Sequence, residues 1–475
     1  MRIRLPRETR PIAAAMLCAL GMLGMGCSGP TSDGSLPRTL DQWVTRDSVQ
    51  FSLEPGAPPS ENFDTVVDTV VASLGEQVEL LGLGESMHGD ENILTLRNRL
   101  FKRLVSTHGY SAIAIETGFD AADPVNDYIM GRGPESYEAL LDGGYGRAFG
   151  KLEANRDLVE WMRAYNADPA HPVKLRFYGF DLSIGANRIA GPSHVLDRAV
   201  KYLEAVGGES AREHRKRIDG LLAQATGWEE AWTDNAKAPG RTPTGESLRI
   251  ATEDLITELR TRRPELVAKT DRDRYLEALH YAIVARNMLV FHAAVAVSTG
   301  EPANGTGLRG ARDVFMADNL TYLVEREQGR GKLMVFAHNG HLQRGKSVWP
   351  CCGLKYGEDI YEWWPAGAQV AQSLGRRYAV IGSGVGVSDA YELGVPQAGS
   401  IEALLTNSKA SGVLIPTHLA QGFAEGVVAA LPTRSGTMKN LSYTALTAQS
   451  FSDFDWLNVL KSAQTTRQVA GTSQR

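Results

Sequence analysis

Cysteine is scarce in this chain, with four among 475 residues. Cys18 and Cys27 belong to the N-terminal apolar run, and Cys351 and Cys352 are adjacent to each other. Adjacent cysteines make a strained pair, and two residues cannot build a disulfide framework. There is also no CxxC spacing of the kind that binds zinc. We therefore interpret Cys351 and Cys352 as packing thiols.

A strongly basic run is also absent outside the first ten residues. The chain has 50 basic and 55 acidic residues, and this balance argues against a nucleic-acid binder that is held by phosphate contacts. The hydrophobic share of 43% and the charged share of 22% are those of an ordinary globular protein. Intrinsic disorder, collagen-like structure and a coiled coil are therefore excluded as descriptions of the whole chain.

The N-terminus predicts export. Four arginines precede an apolar run over residues 11–26, which ends at Cys27. The run is short for a membrane span and fits a signal-peptide core. Cys27 stands where a lipoprotein signal carries its lipidated cysteine, although Gly24 replaces the usual leucine. We predict a signal peptide over residues 1–27 and a periplasmic, cell-surface or secreted protein, which contacts a membrane only if Cys27 is lipidated.

The rest of the chain predicts an α/β fold. Residues 28–60 are rich in Pro, Gly and Ser, which is typical of a flexible tether, with one ordered stretch around Trp43. After them, short apolar runs alternate with long amphipathic ones, which indicates a mostly parallel sheet flanked by helices. The predicted core has two parts, residues 61–189 and 329–465. Residues 190–328 have helical periodicity nearly throughout and are predicted to form an inserted helical subdomain.

Six apolar runs are predicted to be strands, at residues 78–83, 111–115, 173–178, 332–337, 378–382 and 412–415. The first four are each followed at once by ionisable or polar side chains, namely Glu85 to His88, Glu116, Asp181, and His338 to His341. An open parallel sheet presents such groups at the carboxyl ends of its strands, where ligands bind. The pattern therefore predicts a single site that is rich in carboxylates and imidazoles.

Arg97 is predicted to lie near this site. It falls on the same helical stripe as Ile93, Leu100 and Leu104, and a buried guanidinium needs a partner because an unpaired buried charge costs several kcal/mol. Glu85 and Glu116 are the available carboxylates. Both a structural ion pair and a role in the site remain open at this stage.

The residue types of the predicted site fit a reaction in which an activated water molecule attacks an acyl group. His88, with Glu85 and Glu116 nearby, fits a general base, which contributes about 10²–10⁴-fold in rate. His338 or His341 could act as a second acid or base or could polarise a carbonyl. Arg97 could offset the negative charge that develops on an oxyanion.

Two other chemistries are alternatives to water activation by His88. The serine-hydrolase elbow G-x-S-x-G is absent, because His88 stands where its last glycine belongs, and Ser86 is predicted to cap the following helix. Glu85-x-x-His88 together with His338-x-x-His341 supplies enough donors for zinc or iron. That spacing is not a known ligand signature, and a metal remains an alternative.

Arg312 and Asp313 are predicted to open the helix before the fourth strand. Aspartate is a usual residue at a helix start, whereas arginine is less favourable there. A role for Arg312 that faces the site is therefore left open.

Together, the motifs GESMHGDEN, IAIETG, RFYGFD, ARDVFMADN and FAHNGHL resemble those of the erythromycin esterase family, in the same order, from about residue 64 to residue 450. Met87 departs from the threonine usual in that family. The resemblance implies hydrolysis of a macrolide lactone ester without a metal or other cofactor, and an α/β core with a helical subdomain and a small additional α/β portion.

The same resemblance implies roles for individual residues. His88 is the implied general base, and the implied cleft residues are Glu85, Glu116, Arg97, Arg312, His338 and His341. We assign a catalytic role to His88, Glu85, Glu116, His338 and Arg97. We assign substrate binding to His341, Arg312, Asp181 and Asn339.

The leading hypothesis is an exported ester hydrolase that inactivates a macrolide, a small-molecule substrate, and so confers resistance. The alternatives are a metal- or haem-binding surface protein on a related scaffold, and a hydrolase of another ester, such as one linked to a polysaccharide. No nucleic-acid partner is expected. The oligomeric state is left open.

Overall fold

The structure is a computed structural model, and it describes residues 39–54, 58, 61–141, 149–185, 188–232, 234–297, 306–350, 360–407, 410–418, 428 and 430–469. The predicted signal peptide over residues 1–27 lies outside the described residues, and so do Cys351 and Cys352.

The core is an eight-stranded sheet. Its strands are β1 Val49–Phe51, β2 Leu80–Glu85, β3 Tyr110–Gly118, β4 Arg176–Asp181, β7 Lys332–His338, β10 Tyr378–Val387, β11 Gly412–Pro416 and β12 Trp456–Ser462. They lie in the order β1-β11-β12-β10-β2-β7-β3-β4. The pairs from β12 to β4 are parallel, whereas β11 pairs antiparallel with both β12 and β1.

In the part of the chain that the structure describes, two small antiparallel pairs lie outside the main sheet. They are β5 Ile184–Gly185 with β6 Arg188–Ile189, and β8 Ser347–Pro350 with β9 Ile360–Trp363. The predicted α/β class, with its mostly parallel sheet and a small extra portion, is therefore confirmed.

Fifteen helices longer than a single 3₁₀ turn are found in the described residues. They are α1 Leu40–Asp47, α2 Phe63–Leu74, α3 Glu91–Thr107, α4 Asp123–Ile129, α5 Glu153–Ala167, α6 Ser193–Val206, α7 Glu209–Gln224, α8 Pro243–Thr261, α9 Arg263–Lys269, α10 Arg272–Val295, α11 Thr306–Glu327, α12 Asn339–Leu342, α13 Ala366–Leu374, α14 Ile401–Leu405 and α15 Ser450–Asp453. Helices α6 to α11 form the helical region that the periodicity of residues 190–328 predicts. The exact domain boundaries stay a prediction.

Burial on both faces explains why the central strands read as unbroken apolar runs. Every residue of β2 is buried, and so is every residue of β7 after Lys332. Strands that are covered on both faces need no polar alternation. Helix α10 is long and apolar enough to cross a membrane, but 72% of its apolar window is buried within the protein, so we interpret it as a core helix.

The ordered stretch predicted around Trp43 is larger than expected. Helix α1 buries Trp43 completely, and its indole Nε1–H donates to the carbonyl of Pro416 at 3.0 Å. Strand β1 then adds an edge to the main sheet. Residues 40–51 are therefore part of the fold, whereas the sequence assigned most of them to a tether.

Candidate functional site

The carboxyl ends of four neighbouring parallel strands meet at one edge of the sheet. Glu85 at the end of β2 is the register partner of His338 at the end of β7. Gly118 of β3 lies opposite Asp181 of β4, and the register of this pair shifts after Ile115, next to Glu116. Such a bulge re-aims a side chain. The four runs that the sequence singled out are thus adjacent in space.

His88 is more exposed than the other ionisable side chains of this edge, and it pairs with the buried Glu85. The Nδ1 atom of His88 lies 2.6 Å from Oε1 of Glu85. The His88 side chain is 42% exposed, whereas the carboxylate is buried. Burial alone would lower the pKa of His88, but the hydrogen bond and charge of Glu85, with Glu116 nearby, raise it to about 9. Glu85 therefore makes His88 a stronger base than a free imidazole. Glu85 bonds Nδ1 of the ring and not Nε2.

His338 is held differently. Its Nε2–H donates to the carbonyl of Ser442 at 2.8 Å, and its Nδ1 accepts from the N–H of Gly340 at 3.0 Å. These two bonds fix one neutral tautomer. Burial, with repulsion from a charged His88, lowers the pKa of His338 to about 3. The His338 ring lies 5.5 Å from that of His88, and this geometry favours a positioning role over the predicted catalytic role.

Arg312 joins two of the strand ends. Its Nη2 donates to Glu116 at 3.0 Å and to Asp181 at 2.6 Å, and its Nε donates to the other oxygen of Asp181 at 2.8 Å. Burial alone would raise the pKa of Glu116, but the positive charges of His341, His88 and Arg312 hold it well below its usual range. Glu116 is therefore an ionised anchor, and Asp181, predicted to bind substrate, orients Arg312.

His341 completes the cluster with a buried acid. Its Nδ1 lies 2.8 Å from Asp313, and its Nε2 lies 3.2 Å from Nη1 of Arg312 and 3.4 Å from Glu116. Asp313 is 0% exposed and also accepts from the indole Nε1–H of Trp363 at 3.0 Å. The Asp313–His341 pair therefore points an oriented imidazole nitrogen at the Arg312 guanidinium.

Asp313 is a site residue that the sequence analysis missed. The prediction that Arg312 and Asp313 open a helix is wrong, because α11 begins at Thr306 and carries both residues in its interior. Charged residues are stable there because each has buried partners. A sequence signal existed, since Asp313 stands beside Arg312 among apolar neighbours. Ser442 was also missed, and no apolar run before it gave such a signal.

Two predicted site residues, Arg97 and Asn339, are buried and bonded to other parts of the protein. Arg97 is 1% exposed, donates to Oδ1 of Asn98 at 2.8 Å and lies 5.0 Å from the ring centre of Phe336. The Asn339 amide bonds the backbone of Ser383 through both its ends, at 2.7 and 3.0 Å. The positive charge of Arg97 acts to lower the pKa of Glu85, so Arg97 lies near the strand ends. The predicted roles of Arg97 in catalysis and of Asn339 in substrate binding stay predictions, and the bonds described here favour a role for both in holding the site together.

The structure also places the residues that the two alternative chemistries would use. There, no group of three or more His, Cys, Asp or Glu side chains is arranged to hold a metal ion. Ser86 is buried, and the prediction that it caps the next helix is wrong, because Asp90 caps α3 by accepting from the N–H of Asn92 at 2.9 Å.

A family model described as Erythromycin esterase matches residues 105–458. Among curated proteins, erythromycin esterase type II of Escherichia coli is 22% identical over 349 residues, which cover 72% of this chain and 76% of that protein. The sequence likeness is thus distant in identity and spans most of both chains.

Solved structures resemble the fold. A Bacillus cereus protein superposes with a TM-score of 0.67 at 18% identity, over 90% of this chain and 97% of its own. A variant of the erythromycin esterase EreC, in its open conformation, gives a TM-score of 0.64 at 18% identity over 88% of this chain and 98% of that one. At such identities the likeness concerns the fold alone.

Proposed function

Since this chain belongs to the erythromycin esterase family of hydrolases, we propose that it opens the lactone ester of a macrolide with water activated by His88. The observation that carries the proposal is the Glu85–His88 pair. A buried carboxylate fixes Nδ1 of a half-exposed imidazole at 2.6 Å, which is the arrangement that a general base requires. His338 and His341 have both ring nitrogens next to protein partners.

In the proposed reaction, Nε2 of His88 removes a proton from water, and the water oxygen forms a bond to the ester carbonyl carbon. The carbonyl π electrons move to oxygen and give a tetrahedral oxyanion. The bond between carbon and the alkoxy oxygen then breaks, and His88 returns its proton to that oxygen. The products are a carboxylic acid and an alcohol, joined in one opened ring when the ester is a lactone.

Arg312 is the proposed electrostatic partner of the oxyanion. Its guanidinium is held in place by Glu116 and Asp181, so that it needs no rearrangement when charge develops. His341 stands beside it, oriented by Asp313. We therefore propose Arg312, in place of Arg97, as the group that polarises the carbonyl, and His341, in place of His338, as the residue that helps to hold the Arg312 guanidinium in position.

Mass spectrometry of erythromycin incubated with the purified protein tests this proposal. We expect the substrate to gain one water molecule, and we expect His88→Ala to lower the rate by about 10²–10⁴-fold while the circular dichroism spectrum is retained. His194→Ala is a matched control, because His194 is exposed on α6, and should leave the rate unchanged.

A panel of macrolides and simple acyl esters separates the outcomes. Hydrolysis of acyl esters alone, dependent on His88, would overturn the macrolide assignment and favour another ester, such as one linked to a polysaccharide. A rate in His88→Ala equal to that of the unaltered protein would overturn the assignment of the base.

Export is proposed on the N-terminal pattern alone. We propose that residues 1–27 direct the chain out of the cytoplasm and that Cys27 is the site of lipidation if the signal is of the lipoprotein type. Fractionation of cells that produce the full chain, with mass analysis of the mature N-terminus, is the test. A cytoplasmic protein that retains residues 1–27 would contradict it.

A further inference from the structure

The segment of residues 440–444 holds the backbone of His88 with side chains. Nδ2 of Asn440 donates to the carbonyl of His88 at 2.8 Å, and Oγ of Ser442 accepts from the N–H of His88 at 2.8 Å. The Ser442 hydroxyl in turn donates to Oδ1 of Asn440 at 2.6 Å. Both backbone polar groups of His88 are thus bonded to two side chains that also bond each other.

The same segment reaches His338. The main-chain carbonyl of Ser442 accepts from Nε2–H of His338 at 2.8 Å, and the N–H of Thr444 donates to the carbonyl of Ser86 at 2.7 Å. Ser442 therefore bonds both histidines, His88 through its hydroxyl and His338 through its carbonyl.

The segment rests on a buried carboxylate. Glu402 on α14 is completely buried, and its Oε1 accepts from the N–H of Leu446 at 2.8 Å and from the hydroxyl of Tyr443 at 3.3 Å. A fixed support on this side matters because His88 lies in the turn between β2 and α3 and belongs to neither element. The Glu85 bond orients the ring, but it does not fix the backbone that carries the ring.

We propose that Ser442 and Asn440 are positioning residues, which set the imidazole of His88 against Glu85 and His338. They act through His88 and do not touch the reacting atoms. The proposal rests on the proposed function of His88 as the base. Such positioning matters because a displacement of a reacting group by about 1 Å lowers the rate by about 10²-fold.

Ser442→Ala removes the bond to the N–H of His88 and leaves the carbonyl bond to His338. We expect kcat to fall by about 10- to 100-fold, with KM changed by less than about threefold, because substrate contacts are untouched. The pH below which the rate falls should stay the same, because Glu85 is intact and still sets the pKa of His88. Ser442→Thr retains the hydroxyl and should recover most of the activity.

Two further variants test whether the effect of Ser442→Ala comes from the bonds to the backbone of His88. Asn440→Ala removes the other bond to the His88 backbone and should also lower kcat, so it replaces Ser442→Ala if that variant fails to fold. Lys439→Ala is the matched control, because Lys439 directly precedes the segment. Lys439 pairs with the exposed Glu392 at 3.3 Å and touches neither histidine. This variant should leave kcat unchanged.

Imidazole ¹⁵N resonances give a readout that does not depend on activity. Ser442→Ala and Asn440→Ala should displace the signals of His88, while those of His280, which bonds Asn319 at 2.7 Å, should stay in place. Unchanged kcat and unchanged His88 signals in folded Ser442→Ala would overturn the proposal. If the unaltered protein hydrolyses no ester, the proposed function fails, whereas the resonances still decide whether these residues place His88.

Discussion

Buried carboxylates lie at both ends of the central strands, but their partners differ in kind. At the amino end, Glu327 is 1% exposed and accepts from the hydroxyls of Ser111 at 2.7 Å and Tyr178 at 2.8 Å, and from Arg176 at 3.1 Å. Hydroxyls and guanidinium groups keep one protonation state across the physiological pH range. This cluster can hold elements together, and it cannot move a proton.

At the carboxyl end, the carboxylates face imidazoles. Glu85 bonds His88, Glu116 lies 3.4 Å from His341, and Asp313 bonds the other nitrogen of His341. Imidazole is the side chain whose charge changes most readily near neutral pH. Burial and an arginine partner therefore occur at both ends of the strands, whereas histidine partners, which can take up and release a proton, occur only in the carboxyl-end cluster of these two.

A single helix carries parts of both clusters. Arg312 and Asp313 lie in the first half of α11, and Glu327 is its last residue. Glu327 follows Arg312 by fifteen positions, which corresponds to about 22 Å of helix axis. Helix α11 therefore reaches from the amino end of the central strands to their carboxyl end and contributes residues to both clusters.

The largest effect is expected at the amino end and on stability. Glu327→Ala leaves Arg176 and two hydroxyls without their shared acceptor, and breaking a buried pair by removing one partner costs about 3–5 kcal/mol. We expect the free energy of unfolding in urea to fall by that amount, with kcat/KM unchanged at temperatures where the variant stays folded.

The control for this variant stands two residues earlier on the same helix. Glu325 pairs with Arg272 at 3.3 Å, and both side chains are more than 40% exposed, so Glu325→Ala should change stability by less than about 1 kcal/mol. If folded Glu327→Ala lost kcat/KM by tenfold or more, the two clusters would be coupled through α11, and their separation into structural and functional sets would be wrong.

The strands of the site could be predicted because their chemistry is local. The runs that become β2, β3, β4 and β7 are apolar on both faces and end in charged residues, and a parallel sheet aligns such ends at one edge. The ends of the predicted runs at residues 78–83 and 173–178 were two to three residues early. Strand β12, at residues 456–462, was missed because polar Asn458 interrupts its apolar pattern.

The partners of the histidines could not be predicted, since they come from distant parts of the chain. Ser442 lies 354 residues from His88 and follows no apolar run. Arg97 was correctly placed on a buried stripe, but the spacing did not show that its guanidinium lies over the ring of Phe336 and bonds Asn98. Periodicity tells which face of an element is buried, and it does not tell which neighbour it meets.

A smaller effect, on activity, is expected at the carboxyl end. Glu85→Gln keeps the size of the side chain and removes the charge that raises the pKa of His88. We expect the limiting kcat/KM at high pH to fall by about 100-fold, or about 2.7 kcal/mol of transition-state stabilisation, because the imidazole becomes a weaker and less well oriented base. Stability should change little compared with Glu327→Ala.

The pH dependence of kcat/KM in Glu85→Gln separates two effects of Glu85, namely that of its charge on the pKa of His88 and that of its hydrogen bond on the orientation of the His88 ring. In the unaltered protein the pKa of His88 is about 9, so the neutral base is fully formed only above that pH and falls to about 1% at pH 7. In Glu85→Gln the raising charge is lost, the pKa of His88 falls, and the acidic limb of the profile moves to lower pH. The two proteins should therefore differ by about 100-fold at pH 9.5 and by much less at pH 7. A limb that stays near pH 9 in the variant would mean that Glu85 does not set the basicity of His88, and the carboxylates of the carboxyl-end cluster would then hold their partners in place without tuning them, as Glu327 does.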